Sequence, residues 1–180
     1  MSKALSSSSC RQAVTQAIVR FGRATLIACL ILVADTVAAD QSAVPRITAK
    51  EIQSVVAKNK GKVVVLHFWA TWCPPCAREF PALVKVYTAY KPKGLEVIAV
   101  SLNDFSDMRD VMSFVRAQNP PFPLYIAGTV DKTFYRSIDN RWASAVPLSM
   151  IYDKTGKLRY FHDRERTYTQ FERDIQSLLE

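Results

Sequence analysis

The chain carries the stretch Phe68-Trp69-Ala70-Thr71-Trp72-Cys73-Pro74-Pro75-Cys76 directly after an apolar run at 63–66. A short apolar run of this kind is typical of a buried strand. Apolar residues then recur at the spacing of one helix face, at Cys76, Phe80, Leu83, Val84 and Tyr87. The pattern predicts a buried strand, a short loop and a helix that begins at the two cysteines.

Cys73 lies at the N-terminus of that predicted helix. Unpaired backbone N–H groups and the helix dipole favour an anion there, and the thiolate anion of cysteine is the species that attacks a disulfide. We therefore expect Cys73, at the exposed end, to be the nucleophile that forms a mixed disulfide. Cys76, one turn inside the helix, is expected to be the resolving thiol that breaks it.

The two cysteines also allow metal binding as an alternative. Zinc needs about four ligands, and outside the first 40 residues the only other cysteine or histidine side chains are His67 and His162, so we expect no zinc site. Soft thiolates suit Cu(I). A Cu(I) carrier with Met150 or His162 as a third ligand is therefore the alternative function.

The stretch at 68–76 resembles the active site of the thioredoxin superfamily, most closely its exported TlpA/ResA-like branch. Val146-Pro147 resembles the cis-proline loop of that family, and the residues at 151–157 resemble the hairpin that follows it. The resemblance covers roughly residues 44–180. It implies a thioredoxin fold, an α/β architecture in which helices sandwich a mixed central β-sheet.

The remaining pattern agrees with such a sandwich. Two capping boxes, Thr48 to Glu51 and Thr167 to Gln170, each predict the start of a helix. Two further helices and five strands are expected, the helices at about 106–117 and 131–138 and the strands at 63–69, 95–102, 122–126, 148–152 and 157–161.

The sequence pattern of residues 1–39 predicts a targeting segment. Arg20 and Arg23 precede an apolar run at 24–34, and small residues end at Ala39, as a signal peptidase requires. We expect cleavage after Ala39, with an uncleaved N-terminal anchor as the alternative.

The predicted export leaves a thioredoxin-like domain at 40–180. Cys10 and Cys29 leave with the leader, so the domain retains Cys73 and Cys76 alone. An exported domain of this size with a single close pair does not use disulfides as staples. The expected location is the periplasm or another extracytoplasmic space, with contact to the membrane only through an uncleaved leader.

Two side chains are candidates for moving the proton of Cys76. Glu79 lies one helical turn beyond it, and the resemblance implies that a glutamate there belongs to the active site; a surface carboxylate is the alternative. His67 lies six residues before Cys73, where thioredoxin itself carries a buried aspartate. An imidazole there is a candidate acid–base group near neutral pH, and a neutral, hydrogen-bonded core histidine is the alternative.

The resemblance also implies a substrate site. Pro147 is expected to form a cis peptide bond facing the disulfide, with an ordinary trans proline as the alternative, and Val146 to offer its backbone to an extended substrate. Trp72 is expected to be an exposed contact surface, and Trp69 to lie in the core.

The function expected from these features is thiol:disulfide exchange with exported, disulfide-containing proteins, with the Cys73–Cys76 disulfide in place of a cofactor. The resemblance implies a reductant supplied by a membrane thiol donor. Specialists in cytochrome c maturation often carry Gly-Val-X-Gly-X-Pro-Glu at the cis-proline, and the different residues at 142–148 weaken that assignment. The net charge of +8 comes with neither a Lys/Arg stripe nor a nucleic-acid motif, so no nucleic-acid partner is expected.

Overall fold

The computed structural model describes residues 44–180. All of them belong to one compact unit, Ser42–Glu180. The predicted leader and its cleavage site at Ala39 lie outside the described residues. Within the described part, no helix has both the length and the apolar character needed to cross a membrane.

A six-stranded mixed sheet forms the centre of the domain. The strands are β1 Arg46–Ile47, β2 Val63–Trp69, β3 Leu95–Ser101, β4 Leu124–Ala127, β5 Leu148–Tyr152 and β6 Leu158–His162. Their order in the sheet is β1-β4-β3-β2-β5-β6. The first four strands in that order are mutually parallel, whereas β5 runs antiparallel to both β2 and β6. The predicted mixed sheet is confirmed.

Helices cover both faces of this sheet. The described residues form five α-helices: α1 Ala49–Lys58, α2 Pro74–Tyr90, α3 Met108–Gln118, α4 Lys132–Ile138 and α5 Tyr168–Leu179. Helices α2, α3 and α5 pack on one face, and α1 and α4 contribute to the apolar cluster on the other. Both capping boxes are present, with Thr48 and Thr167 as the N-cap residues. The expected thioredoxin fold is confirmed.

The central strand β2 decides where the site lies. All seven of its residues are buried, because its neighbours β3 and β5 pair with both edges and helices cover both faces. Such a strand is expected to be almost entirely apolar. His67 is the one polar side chain in it, and a buried polar group needs a hydrogen-bond partner.

Some predicted bounds were wrong. The strand expected at 122–126 begins only at Leu124, after Pro123, which has no N–H to donate to the sheet. The helix expected at 106–117 begins with a 3₁₀ turn at Phe105–Asp107 and continues as α3. The second hairpin arm lies one residue later than expected, and the two-residue strand β1 was not predicted.

Candidate active site

The two cysteines lie at the start of α2, just beyond the end of β2. Cys73 is the N-cap residue of the helix and forms a disulfide bond with Cys76, with 5.3 Å between their Cα atoms. The backbone N–H of Cys76 donates to Sγ of Cys73 at 3.2 Å. Pro74 and Pro75 occupy the first turn between them, and neither has an N–H to add.

The side chain of Cys73 is less accessible than predicted. Only 4% of Cys73 is exposed, against 0% of Cys76. The expectation of an exposed Cys73 was wrong for this disulfide-bonded form, because the loop before β5 approaches it and the carbonyl oxygen of Val146 lies 3.5 Å from its Sγ. The predicted order of burial still holds.

The loop that approaches Cys73 contains a cis peptide bond between Val146 and Pro147. The predicted cis isomer is confirmed, and the trans alternative was wrong. The indole N–H of Trp142 donates to the carbonyl oxygen of Ala145 at 2.8 Å, which ties down the start of the loop. Ser144, between them, adopts a left-handed φ of 74°.

The tryptophans beside the cysteines lie as expected. Trp72 is 60% exposed and Trp69 is fully buried. Trp69 stacks on Phe114 of α3, with 4.6 Å between the ring centroids. An exposed indole next to the disulfide leaves an apolar surface available for contact.

Glu79 is a buried residue of α2, one helical turn beyond Cys76. It is 1% exposed; the alternative of a surface carboxylate was wrong, because this face of α2 packs on the sheet. Oε2 accepts a hydrogen bond from the backbone N–H of Arg166 at 2.9 Å, and Oε1 accepts one from the Ser149 hydroxyl at 3.2 Å. Burial raises the pKa of Glu79 to about 7, although both hydrogen bonds act to lower it.

His67 is buried beside Glu79. Its Nδ1 lies 3.0 Å from Oγ of Ser149 and 3.6 Å from Oε1 of Glu79, while Nε2 has no hydrogen-bond partner among the described residues. Burial lowers the pKa of His67 to about 3, so the imidazole is neutral near pH 7. These observations favour the hydrogen-bonded core histidine over a group that exchanges protons near neutral pH.

Ser149 is a site residue that sequence reasoning missed. It bridges Glu79 and His67 because β5 pairs with β2 in a register that sets Ser149 opposite His67. The available signal was a serine inside the otherwise apolar strand β5. A buried hydroxyl in such a strand needs a polar partner.

Asn103 was missed as well. Its Oδ1 accepts from the backbone N–H of Thr71 at 2.9 Å, and its Nδ2 donates to Oγ1 of Thr71 at 2.7 Å. Asn103 is 1% exposed and follows the end of β3, which is parallel to β2. It therefore fixes the loop that leads into Cys73.

The residues considered for Cu(I) do not converge on the cysteines. Met150 belongs to the apolar cluster on the opposite face of the sheet from Cys73. His162 has its Nε2 2.9 Å from Oδ2 of Asp174. In the stretch from Val44 to Glu180, no three His, Cys, Asp or Glu side chains are grouped so that they could hold a metal ion.

A mixed sheet between two helical layers, a Cys-X-X-Cys pair at a helix N-terminus and a cis-proline against it define a protein of the thioredoxin superfamily. The chain belongs to the AhpC/TSA family, whose model matches residues 38–161.

Curated relatives of the chain are named as thiol-disulfide oxidoreductases. The chain is 35% identical over 121 residues to a protein of Bacillus thuringiensis subsp. konkukian (strain 97-27) named thiol-disulfide oxidoreductase ResA, a match that covers 66% of this chain and 65% of the relative. It is 27% identical over 111 residues to the sporulation thiol-disulfide oxidoreductase A of Bacillus subtilis (strain 168), covering 60% of this chain and 63% of the relative. The chain thus spans slightly less than two thirds of the length of these relatives.

Solved structures agree with the fold. A putative thiol:disulfide interchange protein DsbE from Chlorobium tepidum is 28% identical with a TM-score of 0.59, over 69% of this chain and 85% of that one. A DsbF homologue from Corynebacterium diphtheriae is also 28% identical, with a TM-score of 0.61, over 68% of this chain and 76% of that one.

Proposed function

We propose that the chain is a thiol:disulfide oxidoreductase that exchanges disulfides with exported proteins through Cys73 and Cys76. The observation that carries the proposal is the disulfide-linked pair at the N-terminus of α2, with the carbonyl oxygen of Val146 3.5 Å from Sγ of Cys73. The names of the curated relatives support the same chemistry.

The reaction with a substrate disulfide proceeds in two exchanges. The Cys73 thiolate attacks one substrate sulfur, the substrate S–S bond breaks, and the other sulfur leaves as a thiolate that takes up a proton. Cys76 then gives its proton to the Glu79 carboxylate and attacks Sγ of Cys73. The mixed disulfide breaks, the second substrate thiol leaves, and the protein retains the Cys73–Cys76 disulfide. Two electrons pass from the protein to the substrate.

Glu79 suits the second exchange because a base is useful only if it is ionised part of the time at working pH. Its pKa of about 7 meets that condition, whereas the pKa of His67, about 3, makes the imidazole a poor proton acceptor. Glu79 lies one turn of α2 beyond Cys76, on the same side of the helix.

The substrate docks beside the cis-proline. The backbone of Val146 pairs with an extended substrate segment in the manner of strand addition, and Pro147 keeps the loop close to Cys73. The exposed indole of Trp72 gives an apolar contact on the other side of the disulfide. Pro147 and Val146 thus position the scissile disulfide, and Trp72 contributes affinity.

The proposed direction is reduction of exported proteins in the periplasm or another extracytoplasmic space, with a membrane thiol donor restoring the dithiol. The physical support is that few N–H groups stabilise the Cys73 thiolate, since Pro74 and Pro75 have none. A less stabilised thiolate makes the reduced form a stronger reductant. Apocytochrome c is one candidate substrate, although the loop at 142–148 differs from that of the specialists.

Insulin reduction tests the proposed activity. The reduced protein should reduce the disulfides of insulin faster than dithiothreitol alone, and Cu(I) titration of the same reduced protein addresses the alternative function. A folded Cys73→Ser variant is the matched control and should have no activity. If the wild-type protein left insulin intact and bound Cu(I) tightly instead, the proposal would be wrong.

A further inference from the structure

A row of polar side chains crosses three strands on one face of the sheet. Ser149 of β5 lies opposite His67 of β2 on one side and opposite His162 of β6 on the other. Directly paired residues of antiparallel strands project to the same face of the sheet. The neighbouring positions on this face, such as Val65 and Ile151, are apolar, so the row is a confined polar strip under α2 and α5.

The hydrogen-bond partners decide which nitrogen of His67 carries the proton. A neutral imidazole has one N–H, and a buried N–H without a partner costs about 1 to 3 kcal/mol. Nε2 has no partner among the described residues, whereas Nδ1 has Ser149 within 3.0 Å. The proton therefore belongs on Nδ1, where it is donated to Oγ of Ser149.

That donation sets the direction of the next hydrogen bond. The Ser149 hydroxyl has a single hydrogen, and because its oxygen accepts from His67, the hydrogen is free to point at Oε1 of Glu79, 3.2 Å away. Oε2 already accepts from the N–H of Arg166. Both oxygens of Glu79 thus face donors, which is the arrangement that favours a carboxylate.

We propose that His67 is a positioning residue whose Nδ1–H orients the Ser149 hydroxyl toward Glu79, so that Glu79 is kept as an acceptor for the proton of Cys76. This assignment rests on the proposed function, in which Glu79 takes that proton. His67 itself neither gains nor loses a proton in the step. With the opposite tautomer, Ser149 would donate to His67 and accept from a protonated Glu79, which could then take no proton.

The other charged groups near Glu79 do not reproduce this effect. The guanidinium of Arg166 lowers the pKa of Glu79 and Glu165 raises it, but Arg166 bonds to Asp174 and Glu165 pairs with Arg78. At the far end of the row, His162 also bonds to Asp174. Ser149 is the side-chain donor to the carboxylate itself.

The direct test is the titration of the Glu79 carboxyl in the reduced protein, followed by ¹³C NMR of labelled glutamate. Ser149→Ala and His67→Leu should both raise the Glu79 pKa, and a rise of one unit would cut the ionised fraction at the original pKa about fivefold. His67→Asn is the matched control, because its amide N–H is placed to replace Nδ1–H. It should leave the Glu79 pKa and the pH profile of the resolving step at their wild-type values.

Two results with the variants would overturn the assignment. One is a Glu79 pKa that does not change in His67→Leu, and the other is a rise in His67→Asn as large as in His67→Leu. The wild-type protein gives a further check that needs no variant to fold, since ¹⁵N shifts of the His67 ring should report Nδ1–H and would contradict the assignment if they reported Nε2–H. The carboxyl titration and the ¹⁵N shifts do not require disulfide exchange, so an inactive protein with the expected titration would overturn the proposed function alone.

Discussion

The backbone N–H of Arg166 donates to Oε2 of Glu79 at 2.9 Å, across 87 positions of the sequence. This bond joins α2 to the segment that leads into α5, and the side chain of Arg166 is itself held by Asp174. A backbone donor cannot rotate away as a side chain can. The Glu79 carboxylate therefore has one fixed donor and a second donor, the Ser149 hydroxyl, whose direction depends on its neighbour.

Replacing Glu79 with Gln should slow the resolving step and flatten its pH profile. In the wild type the rate of the resolving step should fall as the pH drops through about 7, the pKa of Glu79, because the protonated carboxyl accepts no proton. Loss of a general base typically costs on the order of 100-fold or more. Single-turnover decay of a preformed mixed disulfide, followed between pH 5 and 9, measures it. Retention of the wild-type pH profile in Glu79→Gln would remove Glu79 from the mechanism.

The two buried titratable groups should oppose each other in the pH dependence of stability. The pKa of Glu79 rises from 4.5 to about 7 on folding, so its stabilisation is complete below pH 4.5 and lost as the pH rises to 7. The pKa of His67 falls from 6.5 to about 3, so its stabilisation is complete above pH 6.5 and lost as the pH falls toward 3. For Glu79 the shift corresponds to about 3 kcal/mol.

Removing either group should therefore leave the pH dependence of stability that the other group causes. Relative to wild type, His67→Asn should lose stability as the pH rises from 4.5 to 6.5, and Glu79→Gln should gain stability over the same interval. Urea denaturation at several pH values measures both slopes. Equal slopes in the two variants would show that the groups do not titrate as their burial requires.

Asn103→Ala should destabilise the protein and loosen the loop before Cys73. The change leaves the N–H of Thr71 without its partner and should cost about 2 kcal/mol. Urea denaturation gives the cost, and amide hydrogen exchange at Thr71 shows whether the loop opens. Asn59→Ala is the matched control, because the Asn59 amide bonds to Val55 at the end of α1, before β2, whereas the cysteines follow β2. If the Thr71 amide stayed protected in Asn103→Ala, the anchoring role would be refuted.

Pro75→His should lower the pKa of Cys73 and raise the reduction potential. An N-cap side chain accepts a hydrogen bond from the N–H of the second or third residue of the helix. Cys76, the third residue, donates its N–H to Sγ of Cys73 at 3.2 Å, but Pro75, the second, has no N–H. Histidine adds that donor and a nearby positive charge, whereas the matched variant Pro75→Ala adds only the donor and should shift the pKa less. Thiolate absorbance against pH gives the Cys73 pKa of each variant. For the reduction potential, a rise of 30 mV corresponds to about 1.4 kcal/mol of added stability of the reduced form. An unchanged or higher Cys73 pKa in Pro75→His would contradict the argument.

The elements around the cysteines were predictable because their signals are local. The apolar run of β2 and the helical spacing of α2 lie on either side of a nine-residue stretch, and both capping boxes are complete within four residues. The resemblance supplied the cis bond at Pro147, which no local pattern requires. Helical spacing set Glu79 one turn beyond Cys76, the resemblance assigned it to the site, and the structure shows that it is buried.

Contacts across the sheet were not predictable in the same way. The bond between Ser149 and His67 joins positions 82 residues apart and depends on the register between β5 and β2, since a shift of one residue would turn Ser149 to the other face. The near-complete burial of Cys73 depends on a loop 73 residues away. Periodicity states which face of an element is apolar, but not which residue of another element meets it.

The central claim is that Cys73 attacks and Cys76 resolves, and trapping the mixed disulfide tests it most directly. The reduced Cys76→Ser and Cys73→Ser variants are each incubated with a disulfide-linked peptide, and the products are measured by mass spectrometry. The account predicts a stable peptide adduct on Cys73 in the Cys76→Ser protein and no adduct in Cys73→Ser, because Cys76 is fully buried. An adduct that formed on Cys76 in Cys73→Ser, with none on Cys73 in Cys76→Ser, would contradict it.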